Sequence, residues 1–407
     1  MSSVNFMEKL LDGVEVKWKA LDDVIASLKT GLNPRQNFQL NTSDAEFYYV
    51  TVREIQNGNV VFLDKTDRVN KNALALINNR SNLEASDILF SGTGTVGRTA
   101  VIEKTPENWN IKEGVYVIKP IHKVVDSRYL SHLLNSQEIV KEYSKKIVGS
   151  PVVSLPMSEL KKLQIPLPCP ENPKKSLEIQ AKIVRILDAF TELTAELTTE
   201  LTARKKQYNY YRDQLLSFEE GEVEWKTLGE LAENLDSMRK PITSGLRDSG
   251  DIPYYGASGI VDYVKGYIFD GDFLLVSEDG ANLVARNTPI AFSVSGKSWV
   301  NNHAHVLKFE TYAERKFVEY YLNGIDLTPY ISGAAQPKLN KKNLESISLP
   351  NPSPEEKERI VAILDTFDAL TNSISEGLPH EIALRQKQYE YYRDLLLSFP
   401  KPEEVAA

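Results

Sequence analysis

The sequence predicts an α+β chain built twice over: two modules of short strands and turns, each followed by a long helix with a coiled-coil seam. Three observations carry this reading. Residues 204–218, Arg-Lys-Lys-Gln-Tyr-Asn-Tyr-Tyr-Arg-Asp-Gln-Leu-Leu-Ser-Phe, return at 385–399 as Arg-Gln-Lys-Gln-Tyr-Glu-Tyr-Tyr-Arg-Asp-Leu-Leu-Leu-Ser-Phe. Upstream, Ile183-Val-Arg-Ile-Leu-Asp-Ala-Phe190 returns as Ile360-Val-Ala-Ile-Leu-Asp-Thr-Phe367. The stretches before these copies differ in sequence yet carry matching scaffold marks. A duplication of this kind implies two-fold internal symmetry with two divergent functional units.

The first module takes residues 1–170 and the second 221–352. Val16-Lys-Trp18-Lys-Ala-Leu21 parallels Val223-Glu-Trp225-Lys-Thr-Leu228, and Asp87-Ile-Leu-Phe90-Ser parallels Asp272-Phe-Leu-Leu275-Val. The helix Tyr129-Leu-Ser-His-Leu-Leu134-Asn parallels Phe317-Val-Glu-Tyr-Tyr-Leu322-Asn. Leu155, Leu160 and Ile165-Pro166 parallel Leu339, Leu344 and Leu349-Pro350. Pro-rich connectors, Pro166-Leu-Pro168-Cys-Pro170 and Pro350-Asn-Pro352-Ser-Pro354, end each module before its helix begins.

The first helix occupies residues 171–220. Its heptad positions are Ile183, Leu187, Phe190, Thr194, Leu197, Leu201, Arg204, Tyr208, Tyr211, Leu215 and Phe218, apolar or tyrosine at all but Thr194 and Arg204. Continuous helix from Glu178 to Phe218 would extend about 60 Å and needs a partner to bury its stripe. The second helix, residues 353–400 before a tail at 401–407, supplies it. Ile360, Leu364, Phe367, Thr371 and Ile374 match the first seam at one offset, and Tyr389, Tyr392, Leu396 and Phe399 at an offset four residues larger. That insertion falls around Gly377-Leu-Pro-His380; it reads as a stutter, with a kink or brief break at Gly377 and Pro379. A smaller repeat, Thr194-Ala-Glu-Leu197 then Thr198-Thr-Glu-Leu201, adds about 6 Å of helix and about 40° of rotation per unit.

Composition narrows the function. The 407 residues carry a net charge of −8, so the chain is not a generally basic nucleic-acid binder. The charge is uneven: residues 1–170 hold 21 Lys and Arg against 19 Asp and Glu, while the second half is acidic, so any DNA-facing charge is local. Cys169 is the single cysteine, which rules out an internal disulfide or a cysteine-built metal site. No apolar run is long enough to span a membrane and the N-terminal residues do not read as an export signal, so the expected compartment is the cytoplasm.

Catalytic motifs are not found. Gly92-Thr-Gly94-Thr-Val-Gly97 matches a dinucleotide pattern, but Arg98-Thr-Ala-Val-Ile102 reads as a strand where a phosphate-binding helix would be needed, so a glycine-rich hairpin is the better reading. His303-Ala-His305 would share one face of a strand, and no nearby carboxylate or cysteine completes a metal set. The expected metal count is zero, and Asn301-Asn302-His303 instead offers hydrogen-bonding groups to a base edge. Asn351-Pro-Ser-Pro354 lacks the adjacent prolines and the aromatic of an amino-methyltransferase motif, and the chain reads as non-catalytic.

The layout, and above all residues 183–232, resembles the specificity subunit of a type I restriction-modification system, close to the type IC branch. The residues that carry the likeness are the Thr-Ala-Glu-Leu-type units, the Tyr-rich copy at 204–218 and Glu222-Val-Glu-Trp-Lys-Thr-Leu-Gly-Glu230. Ile252-Pro-Tyr-Tyr-Gly-Ala-Ser-Gly259 and Trp299-Val-Asn-Asn-His-Ala-His-Val306 are also similar to a common target-recognition type. The resemblance implies two α/β target-recognition domains separated by two long antiparallel coiled-coil helices, each domain reading one half of a bipartite asymmetric site in double-stranded DNA. It also implies two modification subunits that methylate adenine with S-adenosylmethionine, and two restriction subunits that use ATP and Mg; this chain would bind none of these cofactors. Candidate DNA contacts are Ser91, Thr93, Arg98, Lys145, Lys146 and Ser150 in the first module, and Tyr255, Ser258, Asn301, Asn302, His303 and Lys338 in the second. Candidate partner-docking residues are Lys206, Gln207, Arg212 and Asp213 with their copies Lys387, Gln388, Arg393 and Asp394. Two other readings stand beside this one: a free-standing DNA-binding regulator and a coiled-coil adaptor.

Overall fold

A computed structural model describes residues 10–400 except 12, 36, 220, 287, 334 and 335. The chain forms two compact units, residues 1–197 with 382–407, and residues 198–381. This division cuts across the module–helix succession of the sequence. Unit 1 holds the segment Ile183–Phe190 and the second Tyr-rich copy; unit 2 holds the first Tyr-rich copy and Ile360–Phe367.

In unit 1 an antiparallel sheet has the order Ile25–Thr30, Val115–Pro120, Ile88–Ser91, Thr99–Val101. Strand alternation sends Ile88, Phe90 and Ile118 into one core and Leu89, Ala100 and Val117 into another, which is why Ile88-Leu-Phe90 is a continuous apolar run. Helix Ser127–Leu134, capped by Asp126 accepting from the backbone of Arg128 and Tyr129, buries Tyr129, Leu130 and Leu133 in the first of these cores.

Unit 2 repeats the frame. Glu233–Asn234, Ala304–Lys308, Phe269–Ser277 and Ala291–Val300 lie in the same order, extended by the hairpin Ser249–Gly256/Gly259–Val264. Helix Tyr312–Gly324 buries Phe317 as the first module's helix buries Tyr129. Both modules close on themselves in one register: Trp18 lies opposite Pro166 and Trp225 opposite Pro350. One sequence parallel needs correction. Leu155 N donates to Gly92 O and Leu339 N to Glu278 O, so Ser91 corresponds to Ser277 and Asp87 to Phe273, one residue away from the Asp87–Asp272 match. Both aspartates pair with a cation, Asp87 with Lys119 and Asp272 with Arg315, but from different places in the frame.

The first long helix runs Pro173–Leu215, about 65 Å, starting earlier than Glu178 because Pro173 itself serves the first turn. Of the predicted seam, Ile183 and Leu187 are buried, the others are half-buried, and only Tyr211 is exposed. Each Tyr-rich copy packs against the opposite repeat: in unit 1 Phe190 stacks on Tyr392 at 5.2 Å, and in unit 2 Phe367 stacks on Tyr211 at 5.7 Å. Phe399 meets Tyr129 and Phe218 meets Phe317, each at 6.4 Å. The polar joints differ. In unit 1 Asp188 accepts from Arg128 (2.6 Å) and His132 Nε2 (3.0 Å), and His132 Nδ1 meets Tyr389 Oη at 2.9 Å. Burial pushes the Asp188 carboxyl up, but the bonds from His132 and Arg128 outweigh it and hold the carboxyl below the usual range. In unit 2 Asp365 accepts instead from Tyr312 (2.8 Å) and Tyr320 (2.5 Å).

The second helix is broken. Pro354–Asn372 and Gly377–Leu396 are separated by the four residues 373–376, so the insertion forms a loop rather than a stutter, and Ile374 leaves the seam to stand 88% exposed. Ser373 Oγ accepts from the backbone of Ser375 and Glu376, and Gly377 restarts the helix at φ +73°. A Cβ there would lie 2.3 Å from Ala369 O. Gly377→Ala should therefore destabilise the chain by about 1–3 kcal/mol, read as a lower urea midpoint at unchanged slope.

Candidate nucleic-acid interface

Each unit carries the same backbone knuckle at one end of its central strands. In unit 1 the chain leaves Ile88–Ser91 into a tight loop that Ser91 folds: its Oγ donates to Thr95 O (2.6 Å) and accepts from Arg98 N (2.7 Å). Gly94 and Gly97 take φ +80° and +100°, which a side chain would resist. Thr99–Val101 then follows as a strand, so the glycine pattern is a hairpin and not the mouth of a phosphate-binding helix. An arm, residues 148–155, is laced onto this loop. Val148 and Ser154 exchange backbone bonds, Gly94 N donates to Val153 O, and Leu155 N to Gly92 O. Beneath it Tyr116 Oη donates to Leu155 O at 2.8 Å.

Unit 2 reproduces the lacing bond for bond. Ser332 and Lys338 exchange backbone bonds, Gly280 N donates to Pro337 O, and Leu339 N to Glu278 O. His305 Nε2 replaces the Tyr116 hydroxyl, donating to Leu339 O at 2.7 Å. The arms turn on Gly149 and Gly333, both at positive φ. With the backbone held constant, the side chains diverge sharply. Gly92, Thr93, Ser154 and Tyr116 in unit 1 become Glu278, Asp279, Lys338 and His305 in unit 2.

The charged set continues inward. Arg239 bonds Glu278 Oε2 at 2.6 Å and Asp236 at 3.3 Å, while Asp236 also accepts from His305 Nδ1 at 2.6 Å. Glu278 Oε1 holds the Lys338 ammonium at 3.0 Å. Burial would raise both carboxyls, but the His305 bond to Asp236, and those of Arg239 and Lys338 to Glu278, hold them below the ordinary range. Asp236, Glu278 and His305 thus gather ligand-like atoms, two of them carboxylates that the sequence did not connect with His305, and the Arg239 guanidinium bonds both carboxylates.

The predicted contacts divide accordingly. Ser91 and Asn301 are buried and already bonded: Ser91 folds its own loop, and Asn301 Oδ1 accepts from His303 N at 2.8 Å. They shape the surface rather than form it. Thr93 is half-buried and shares a hydrogen bond with Ser154 at 3.2 Å; Ser150 lies exposed on the arm. Arg98 is exposed and donates to Val52 O at 3.1 Å, Lys145 pairs with Glu142, and Lys146 with Glu159. In unit 2 Tyr255 O accepts from Asn301 N at 3.1 Å, and Ser258 and Asn302 are exposed. Tyr255, Asn301, His303 and Lys338 therefore converge on one knuckle. His303 and His305 do not share a face: the strand begins at Ala304, leaving His303 in the exposed turn and His305 buried. Val148 and Val152 on the first arm, and Ile260, Val261 and Tyr263 on the second module's hairpin, are exposed apolar groups outside the polar candidates.

On the helices the two copies are bonded alike. Arg204 donates to Gln207 at 2.8 Å and Arg385 to Gln388 at 2.9 Å. Arg212 lies over Tyr208 and pairs with Asp213; Arg393 lies over Tyr389 and pairs with Asp394, which also accepts from Gln137 N at 2.9 Å. Lys206 and Lys387 remain exposed, as do Tyr210 and Tyr391 at matching positions.

The family of the type I restriction modification DNA specificity domain matches residues 13–204 and 220–384, one copy per module and helix. The chain belongs to this family. Over its full length and theirs it is 35% identical to the type I restriction enzyme EcoR124I/EcoR124II specificity subunit of Escherichia coli. It is 36% identical to the Escherichia coli EcoprrI specificity subunit, over 92% of this chain and 93% of that one. The fold is similar to the crystal structure of a type I restriction-modification S subunit from M. genitalium, with a TM-score of 0.59 at 17% identity, over 96% of this chain and 98% of that one. The two modules of this specificity subunit are thus its target-recognition domains, set on an internally repeated frame.

Proposed function

We propose that this chain is the non-catalytic, sequence-reading subunit of a restriction-modification assembly, each target-recognition domain reading one half of a bipartite asymmetric site in double-stranded DNA. The observation that supports it best is the knuckle: one backbone, repeated bond for bond, carrying neutral side chains in one module and a compensated charged set in the other. A conserved frame with divergent loops is what two different recognition tasks require. Exposed aliphatic groups beside the polar ones suit the thymine methyl group in the major groove.

The helices space the two readers, and the exposed faces of the Tyr-rich copies seat two copies of one modification subunit. That subunit brings S-adenosylmethionine for adenine methylation; restriction subunits bring ATP and Mg. Residues shared by both copies and left exposed, Lys206 with Tyr210 and Lys387 with Tyr391, are better docking anchors than Gln207, Arg212, Gln388 and Arg393, which are engaged within the chain. Exposed aromatics suit interface hot spots. The pair Lys206→Glu with Tyr210→Ala should remove one of two bound modification subunits in native mass spectrometry, and the matching pair at 387 and 391 the other. Loss of both subunits, or of neither, would count against two equivalent seats.

The direct test mixes the chain with its modification partner and maps methylated adenines on random DNA. A single split motif with a fixed gap is expected. Deleting Thr198–Leu201 should change the gap by one or two base pairs and leave both half-sites intact, since four residues of helix span about 6 Å. Tight site-specific binding by the chain alone would favour a free-standing regulator; indifference to DNA would favour an adaptor.

A further inference from the structure

The geometry points to Asp279 as a positioning residue that fixes the tautomer of His303, so that His303 reads an exocyclic amino group in the second half-site. This rests on the DNA-reading function proposed above and adds the atom that does the reading. His303 Nδ1 lies 2.8 Å and 3.1 Å from the two carboxylate oxygens of Asp279. A carboxylate only accepts, so Nδ1 carries the proton. In the neutral ring Nε2 is then a lone pair, and it has no partner among the described residues. The backbone beneath the ring is fixed, because His303 N donates to Asn301 Oδ1 and His303 O accepts from Glu278 N at 2.9 Å, and the ring itself is held by Asp279. An acceptor held this way pairs with adenine N6 or cytosine N4 and is mismatched to the keto oxygens of guanine and thymine.

The first module shows that the pair is an added device and not part of the frame. Gly92 N donates to Gly114 O as Glu278 N donates to His303 O, which makes Gly114 the counterpart of His303 and Thr93 that of Asp279. Gly114 has no side chain, and a Cβ built there would lie 3.0 Å from the Thr93 Cβ. The two positions touch in both modules, yet only the second fills them with an imidazole and its orienting carboxylate.

The test uses the full chain with its modification partner and a library of duplexes randomised over both half-sites, read by adenine methylation. The wild-type complex should prefer adenine or cytosine at one second-half position by at least about fivefold, the discrimination of one good base contact. In Asp279→Asn the amide can accept from or donate to Nδ1, so both tautomers form and the preference should relax as guanine and thymine gain. His303→Ala should lose the preference at that same position. The first half-site is the internal control and should be read unchanged in both variants. Wild-type preference in either variant, or methylation depressed equally at every sequence, would overturn the assignment. A wild-type complex yielding no split motif would instead sink the functional reading beneath it.

Discussion

Replacing Phe399 by Ala should cost unit 1 about 3–5 kcal/mol, whereas the matching change at Phe218 should cost unit 2 about 1–2 kcal/mol. Phe399 is only 4% exposed and shares a core with Tyr129, Leu396 and Leu397, so its removal leaves a cavity in that core. Phe218 meets Phe317 at the same ring distance but is half-buried at the margin of its core, with less contact to lose. Hydrogen exchange resolves the two units: amides of residues 115–119 should lose protection in the first variant, and those of Phe269–Ser277 should change little in the second. Equal losses in both would show that burial does not set the difference.

Arg239→Met should cost unit 2 about 1–3 kcal/mol, because it removes the cation that Asp236 and Glu278 share and leaves them to His305 and Lys338 alone. The pH profile carries the sign. Burial opposes ionisation of Asp236 and Glu278, but hydrogen bonds from His305, Arg239 and Lys338 win, so both carboxyls titrate lower folded than unfolded. Their contribution is fully present above the unfolded carboxylate value of about 4 and is lost as pH falls through the lower folded value. The wild type should therefore hold its stability down to about pH 4 and weaken below it. Without Arg239 the onset should move to higher pH, as followed by thermal unfolding across a pH series. An unchanged profile would mean that the cluster is not what holds those carboxyls ionised.

Much of the frame was legible because it is written in apolar periodicity. The heptad seam, the Trp18–Pro166 and Trp225–Pro350 pairings and the paired module helices depend on residues that a core forces to repeat. The exchange of helix ends between units follows from the antiparallel helices that the resemblance implied and not from the residues alone, since both Tyr-rich copies carry the same seam and nothing local states which module each one meets. The four-residue insertion showed where the second helix would fail but not whether the excess would wind or loop; Gly377 at positive φ decided for the loop. At the candidate interface, polarity overcounted the surface of the loops it chose. Ser91 and Asn301 are hydrogen-bonding residues that the turns consume. What Asp236, Arg239, Glu278 and Asp279 bond was not legible, because their meaning lies in contacts with residues distant in the chain, as with His305 and Asp236, 69 positions apart.

The discontinuity of unit 1 has a consequence for synthesis. Its core joins Tyr129 to Phe399 and its polar joint joins His132 to Tyr389, 257 positions apart, whereas unit 2 is a single stretch, 198–381. Contacts of such separation form late, because the chain between them must first be made and then closed into a loop. On the ribosome the second reader therefore completes its core first. The first waits, with the apolar flank of Tyr129 and Leu187 uncovered, until residues 385–399 emerge to cover it. A chain that stops short of those residues leaves the core around Tyr129 open, so the folding of the first unit depends on the distal repeat.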